Sequence, residues 1–234
     1  MTLDFPPSDR HPAAVVITEV VATVVSLLLY PFGIRNQKKR TPRKSIQRTI
    51  VFVHGYLGNP SSFLPLSIYL KARGHKSILY YKYPSDVGIE QAAIGLRSYL
   101  KKNVRGGRVD LVCHSLGGLV AKVYLQELGG CRRVDSCVTL GTPHNGTYNA
   151  YWLWSRVGQE LRPDSKLLAR IAAGEAKSSN VRNLSIVAGS DNIVIPRVFA
   201  KGTQNVVHIP HVGHMGMLFT PAVFKSVGDF LAIT

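Results

Sequence analysis

The stretch VDLVCHSLGGLVAK, residues 109–122, decides how the rest of the 234-residue chain is read. Its first residues form a short, mostly apolar run of strand type, and from Leu116 onward apolar residues recur at helical spacing. Between them stand His114, Ser115 and the glycine pair at 117 and 118. Small residues at such a joint let strand and helix pack closely while a serine hydroxyl projects outward, as in a nucleophile elbow. The amides that open the following helix point at the same spot and favour negative charge there.

Outward from this joint the chain alternates. Residues 49–55 (TIVFVHG), 77–84 (SILYYKYP), 108–114 (RVDLVCH), 135–143 (DSCVTLGTP), 183–191 (NLSIVAGSD) and 205–210 (NVVHIP) read as six buried strands. Helical patterns fill 61–74, 85–102, 116–130 and 220–233; Ile89, Ala93, Leu96 and Leu100 share one face of the second. Strands alternating with helices predict an α/β fold, a mostly parallel sheet of about six strands covered on both faces. From 145 to 182 the strand signal lapses, leaving room for a small lid or none.

Hydrophobic residues make up 45% of the chain and charged ones 18%, a balance that supports a packed core. The formal net charge of +16 favours anionic partners, of which a membrane surface is one. No zinc-finger spacing, RNP-type aromatic motif or helix-turn-helix signature accompanies it, so nucleic acid is not an expected partner. Cys113, Cys131 and Cys137 fit neither a disulfide framework nor a zinc site, and a Cys131–Cys137 bridge has no support beyond proximity. Oligomeric state has no signature in the sequence.

Residues 13–34 (AAVVITEVVATVVSLLLYPFGI) are apolar over about a bilayer's helical span, with Glu19 as their one formal charge. Asp4 and Asp9 precede this run, unlike the basic start of a secretory signal. Arg35, Lys38, Lys39, Arg40, Arg43, Lys44 and Arg48 follow it. This asymmetry predicts a membrane anchor with the basic flank and the next domain on the cytoplasmic side. Against it stands Glu19, which in lipid costs about 2.5 kcal/mol or more; a buried or partner-facing helix is the other reading. The expected division is an N-terminal helix and basic linker over 1–45 and a catalytic domain over 46–234.

In an open α/β sheet, ligands gather at the carboxyl ends of the strands, where Ser115 lies. A serine hydroxyl needs a histidine base, itself oriented by a carboxylate, and in this fold the chain order is Ser, then Asp or Glu, then His. Asp191 follows the strand LSIVAG and His214 the strand NVVHIP, each in the right order. His211, three residues before His214, remains the alternative base. Asp110 opens its strand at the wrong end, while Asp164 and Asp229 read as a helix-start cap and a solvated helix residue. The triad chemistry also needs two backbone amides for the oxyanion: Leu116, after the serine, and Tyr56, in the glycine-bearing loop HGYLG. His208, His211 and His214 do not share one helix that would align them on a metal.

With these pieces in place, the chain resembles the α/β-hydrolase superfamily, in particular its small bacterial lipases and esterases. The matching motifs VFVHGYLGNPSSF, VDLVCHSLGGLVAK, TLGTPHNGT, IVAGSDNIVIP and VGHMGML occur in family order between residues 49 and 218. The resemblance implies carboxylic-ester hydrolysis, with Ser115 as nucleophile, Asp191 as orienting acid, His214 as base and the amides of Tyr56 and Leu116 as oxyanion donors. It implies no metal and no organic cofactor. His144, in GTPHNG, falls in a loop that borders the site in that group. One departure is Cys113, which stands where G-x-S-x-G has its first glycine; cysteine is small and tolerates burial, so it reads as a packing substitution.

Tyr148, Tyr151, Trp152 and Trp154 cluster in TYNAYWLWSR. They form either an apolar rim that meets acyl chains or ordinary core packing. Together with the apolar helix and the basic flank, the rim points to acyl lipids as substrates and an anionic membrane surface as partner. The same triad also serves thioesterases and acyltransferases. A non-catalytic membrane-bound scaffold is the reading from another class, but a scaffold has no use for an intact Ser115, Asp191 and His214.

Overall fold

The computed structural model describes residues 12–34, 48–196 and 205–232. Most of the basic flank, Arg35 to Lys44, and Asp4 and Asp9 lie outside the described residues. Six strands form one sheet: β1 (Thr49–Val53), β2 (Ile78–Tyr81), β3 (Val109–His114), β4 (Val134–Leu140), β5 (Arg182–Ala188) and β6 (Val206–Ile209). The order is β2-β1-β3-β4-β5-β6, and every pairing is parallel. The strand order therefore reverses between β1 and β3, which opens a crevice beyond their carboxyl ends.

Alternation along β1 explains the two cores. Ile50 and Phe52 face a cluster with Phe63, Leu66 and Leu70, the last two on α2 (Leu64–Ala72), and with Val223 and Val227 of α7 (Pro221–Ala232). Val51 and Val53 face the opposite cluster, formed with Leu96 and Leu100 of α3 (Ile89–Asn103) and Leu119 and Val123 of α4 (Leu116–Glu127). A strand covered on both faces must be apolar at every position, as TIVFV is. Each fully buried leucine or valine side chain contributes about 1.5–3 kcal/mol from area removed from water.

The region where the strand signal lapsed holds two short helices, α5 (Arg156–Leu161) and α6 (Lys166–Ala173). Val157, Leu161, Leu167, Leu168 and Ile171 are buried in the α3/α4 cluster, so this segment covers the sheet and is no lid domain. Ser155 and Ser165 cap the two helices by accepting from Gly158 N–H and Leu168 N–H. The helix-start role read for Asp164 thus belongs to Ser165, while Asp164 accepts a hydrogen bond from the Tyr151 hydroxyl. Asp229 is on α7 and pairs with Arg73 at 2.9 Å.

The apolar segment is one helix, α1 (Pro12–Ile34), and its stretch Ala13–Pro31 is long and apolar enough to cross a membrane. It packs against the sheet domain at the turn Pro60–Phe63 after β1 and the turn Gly216–Leu218 after β6. Its outer face is apolar and exposed, with Val16, Ile17, Val20, Val21, Leu27 and Leu28 turned outward. The Asn59 amide donates to Tyr30 O at 2.8 Å, and Glu19 accepts from the amides of Met215 and Gly216. The lone acid of the helix is therefore hydrogen-bonded to the body and not left in an apolar surround.

Candidate active site

Ser115 sits between β3 and α4 with φ +52° and ψ −124°, a backbone state that L residues rarely adopt. Such strain costs on the order of 1–3 kcal/mol and persists only where the surroundings over-determine it. Here Ser115 N–H donates to Leu140 O at 2.8 Å, and Ser115 O accepts from Gly118 N–H and from the Thr142 hydroxyl. The glycine pair of the motif is required sterically. A side chain at 117 would strike the backbone oxygens of Val53 and His54, and one at 118 would strike Thr142. The elbow is thus braced by β1, β4 and the GTPHNG loop together.

The loop after β1 closes on the elbow from one side. A Cβ on Gly55 would lie 2.9 Å from Ser115 Cβ, so this approach demands glycine and holds the residue before Tyr56 against the serine. His54 fixes the loop: its Nδ1–H donates to Gly55 O at 2.9 Å, and its Nε2 accepts from Tyr83 N–H at 3.3 Å. Tyr83 returns a hydroxyl bond to His54 O at 2.7 Å and stacks on its ring. Burial, opposed by the Gly55 bond, lowers the His54 pKa to about 4, so this imidazole is neutral. Leu116 N–H, the first amide of α4, has no partner within its own helix by helix geometry.

The loops after β5 and β6 supply the other groups. His214 Nδ1 and Asp191 Oδ2 are 2.8 Å apart, and both side chains are buried. Asp191 Oδ1 accepts from Ile193 N–H at 2.9 Å and Val194 N–H at 2.8 Å. Burial alone would raise the Asp191 pKa; the bond and charge of His214 and the two amides outweigh it and lower it below the usual carboxylate value. An ionised carboxylate only accepts, so it holds the proton of a neutral His214 on Nδ1 and leaves Nε2 as an acceptor.

His214 lies beside the elbow. The ring of His114, the residue before Ser115, is centred 4.8 Å from its ring, and a Cβ on Gly141 would lie 3.2 Å from its Nδ1. His211 has a left-handed backbone, with φ +59°, and it is His214 that bonds Asp191. Asp110, at the amino end of β3, pairs loosely with Arg48. His144 is buried and hydrogen-bonded to Thr139, behind the loop.

Sequence reading missed the buttresses. His114 Nε2–H donates to His214 O at 3.1 Å and so ties the elbow strand to the histidine loop. Neither His54 nor His114 carries a local signal of its partner, though His54 directly follows β1 and His114 ends β3. Of the aromatic cluster, Trp152 and Trp154 are 82% and 98% exposed and Tyr148 and Tyr151 about half so, which rules out core packing for them. A cavity of about 590 Å³ lies beside the loop after β1, lined by Tyr30 of α1 with Tyr56, Leu57, Lys82, Tyr83 and Asp86. Cys113, Cys131 and Cys137 are free thiols, and burial pushes the Cys113 thiol well above its ordinary pKa. Among the described residues no cluster of His, Cys, Asp and Glu has the make-up of a metal site.

Two predictions arise here. Cys113 is fully buried in the α3/α4 cluster. Cys113→Gly should leave turnover nearly unchanged while costing about 1–2 kcal/mol and lowering the melting temperature by about 2–8 °C; a folded variant without activity would show that the thiol does more than pack.

The second concerns pH. Burial lowers His54 to about 4 and His114 and His144 to about 3, below the ordinary value of 6.5. The unfolded chain then binds more protons than the folded one, so this stability is full above about pH 6.5 and is lost as pH falls toward those values. With three such groups the slope reaches at most about 4 kcal/mol per pH unit. Urea unfolding at pH 7 and pH 5 checks it: a clear loss is expected, and equal stability would contradict neutral burial of these rings.

Comparison with known proteins agrees with this fold. A family model, the PGAP1-like alpha/beta domain, matches residues 90–233. Among solved structures, the mature lipase BlEst2 of Bacillus licheniformis superposes with a TM-score of 0.67 at 16% identity, covering 83% of this chain and 95% of that one. Lipase B of Aspergillus fumigatus gives 0.65 at 14% identity over 78% of this chain and 52% of its own. Phospholipase PlaB of Legionella pneumophila gives 0.53 at 14% identity over 62% and 40%. At these identities the likeness is one of fold, the α/β-hydrolase fold of lipases and esterases.

Proposed function

The chain belongs to the PGAP1-like alpha/beta domain family, and from that premise we propose that it is a membrane-associated serine hydrolase of carboxylic esters, with acyl lipids as substrates. The observation that carries this reading is the buried Asp191–His214 hydrogen bond beside a serine held in the strained elbow conformation. A carboxylate–imidazole pair next to a strained serine serves no packing purpose, whereas it is what a hydroxyl needs to become a nucleophile.

His214 Nε2 takes the Ser115 proton as Oγ attacks the ester carbonyl, while the amides of Tyr56 and Leu116 receive the oxyanion. His214 then protonates the leaving alcohol, and the acyl group stays on Ser115. Water, deprotonated by His214, attacks the acyl-enzyme and releases the acid. Asp191 holds the imidazole in the one tautomer that can accept the serine proton. No metal or organic cofactor takes part in these steps.

The lipid assignment rests on the surface around the site. Leu57, Tyr148, Trp152, Trp154, Ile193 and Ile195 are all large and exposed, and all lie in the segments that follow the carboxyl ends of β1, β4 and β5. The outer face of α1 adds to them, and exposed apolar surface on this scale marks an interaction site. The basic residues 35–48 favour an anionic leaflet on the cytoplasmic side. The cavity beside Tyr56 takes part of the substrate between α1 and the oxyanion loop. Domain roles follow: 1–45 brings the enzyme to the membrane and 46–234 carries the chemistry.

A chain-length series of nitrophenyl esters, with and without anionic vesicles, tests this. Turnover should rise with acyl length and with vesicles, and the protein should pellet with membranes until detergent is added. Equal turnover of short esters with indifference to lipid would remove the lipid assignment. Product analysis with a competing alcohol distinguishes hydrolysis from acyl transfer.

A further inference from the structure

We infer that Glu19 is a positioning residue for His214, which makes the N-terminal helix a working part of the active site as well as its membrane contact. The inference rests on the hydrolase reading above. Glu19 Oε2 accepts from Met215 N–H at 2.9 Å and Oε1 from Gly216 N–H at 2.6 Å. These are the two amides that directly follow His214, and one carboxylate grips both. Hydrogen bonds to an ionised acceptor are roughly twice as strong as neutral ones.

The seat is shaped for this side chain. A Cβ on Gly213 would collide with the Glu19 carboxylate, and one on Gly216 would lie 2.7 Å from its Oε1. Neither glycine has the left-handed backbone that would account for it locally, since positive φ among nearby residues is found at His211. Both glycines make room for a residue some 200 positions earlier in the chain.

His214 is thus held from three sides. His114 binds its carbonyl, Asp191 its ring and Glu19 the next two amides. The first two restraints come from β3 and the loop after β5; the third comes from a helix whose outer face is apolar and exposed. A second bond, from Asn59 to Tyr30 O, fixes the same helix to the turn after the oxyanion loop. The helix therefore touches both halves of the site, and whatever lifts it from the body frees the His214 loop. A shift of the base by about 1 Å can cost on the order of 100-fold in rate.

The test uses the full-length protein in detergent micelles and a short water-soluble ester, which needs no membrane. Rates are taken per site titrated with a fluorophosphonate, so that a loss of folded protein does not count. Glu19→Ala should lower kcat by about 10- to 100-fold with KM changed by no more than about twofold, because Glu19 does not meet the substrate. Glu19→Gln keeps the volume and one acceptor oxygen and should fall between; should Glu19→Ala not fold, the glutamine variant carries the comparison. Gly213→Ala should also lower kcat by displacing the carboxylate. In the double variant Glu19→Ala/Gly213→Ala the loss should be no greater than in Glu19→Ala alone. Wild-type kcat per site in the Glu19 variants, or additive losses in the double variant, would overturn the inference while leaving the hydrolase intact. A wild type that neither turns over the ester nor takes the probe would instead overturn the hydrolase reading, and this inference with it.

Discussion

Ser115→Ala should lower ester turnover by on the order of a million-fold and leave the protein folded. The loss is expected to be large because, in the proposed mechanism, this hydroxyl carries the acyl half of the substrate. The residue left behind keeps its brace: the bonds of its amide to Leu140 O and of its carbonyl to Gly118 N–H and the Thr142 hydroxyl use only the backbone of residue 115. What survives is the modest acceleration from the oxyanion amides and from binding, about 10³–10⁴ over water in comparable sites. Ser115→Gly sharpens the same test. It removes the same hydroxyl and also relieves a φ of +52° that suits glycine. Relief of about 1–3 kcal/mol of strain, less about 1 kcal/mol for the freer unfolded chain, leaves a variant that is inactive yet at least as stable as the wild type. A melting temperature that drops in Ser115→Gly would mean that the elbow is not strained for function.

Asp191→Asn should cost about 10⁴-fold in turnover, again without unfolding the protein. The amide oxygen of asparagine can still accept from Ile193 N–H and Val194 N–H, which keeps the loop after β5 in place. Its NH₂ group would face His214 Nδ1, where the carboxylate oxygen stood at 2.8 Å. An NH₂ donor there makes Nδ1 the acceptor and moves the imidazole proton to Nε2. The base then meets the serine with a proton already on it. Because both variants disable one unit, Ser115→Ala/Asp191→Asn should be no slower than Ser115→Ala alone. A loss of less than about tenfold in Asp191→Asn would show that another carboxylate orients the base.

The sheet was legible because its strands are short apolar runs, most of them followed closely by glycine or proline, and the parallel order follows from their alternation with helices. The ends were less so. The first strand was expected to reach Gly55 but stops at Val53, since His54 and Gly55 turn to meet the elbow. The strand after α4 likewise ends at Leu140, before the GTPHNG loop. Helices α5 and α6 escaped notice because each is under ten residues, although Ser155 and Ser165 before them are ordinary caps.

In the site, strand-end placement and chain order together pointed to Ser115, Asp191 and His214, and they left His211 open. What separates the two histidines is the turn that points His214 at Asp191, and no local pattern encodes that. Glu19 illustrates the limit best. Hydropathy marked it as a misplaced charge in an apolar helix, which was correct as far as it went. Its partners lie 196 and 197 residues away, so only the folded chain shows what the charge is for.

Peptide mapping of the full-length protein after reaction with a fluorophosphonate tests the hydrolase claim most directly. One adduct is expected, on the peptide that carries Ser115, with ester turnover falling in step with its formation. Turnover that persists after Ser115 is fully modified, or an adduct on any other residue, would show that the serine between β3 and α4 is not the nucleophile.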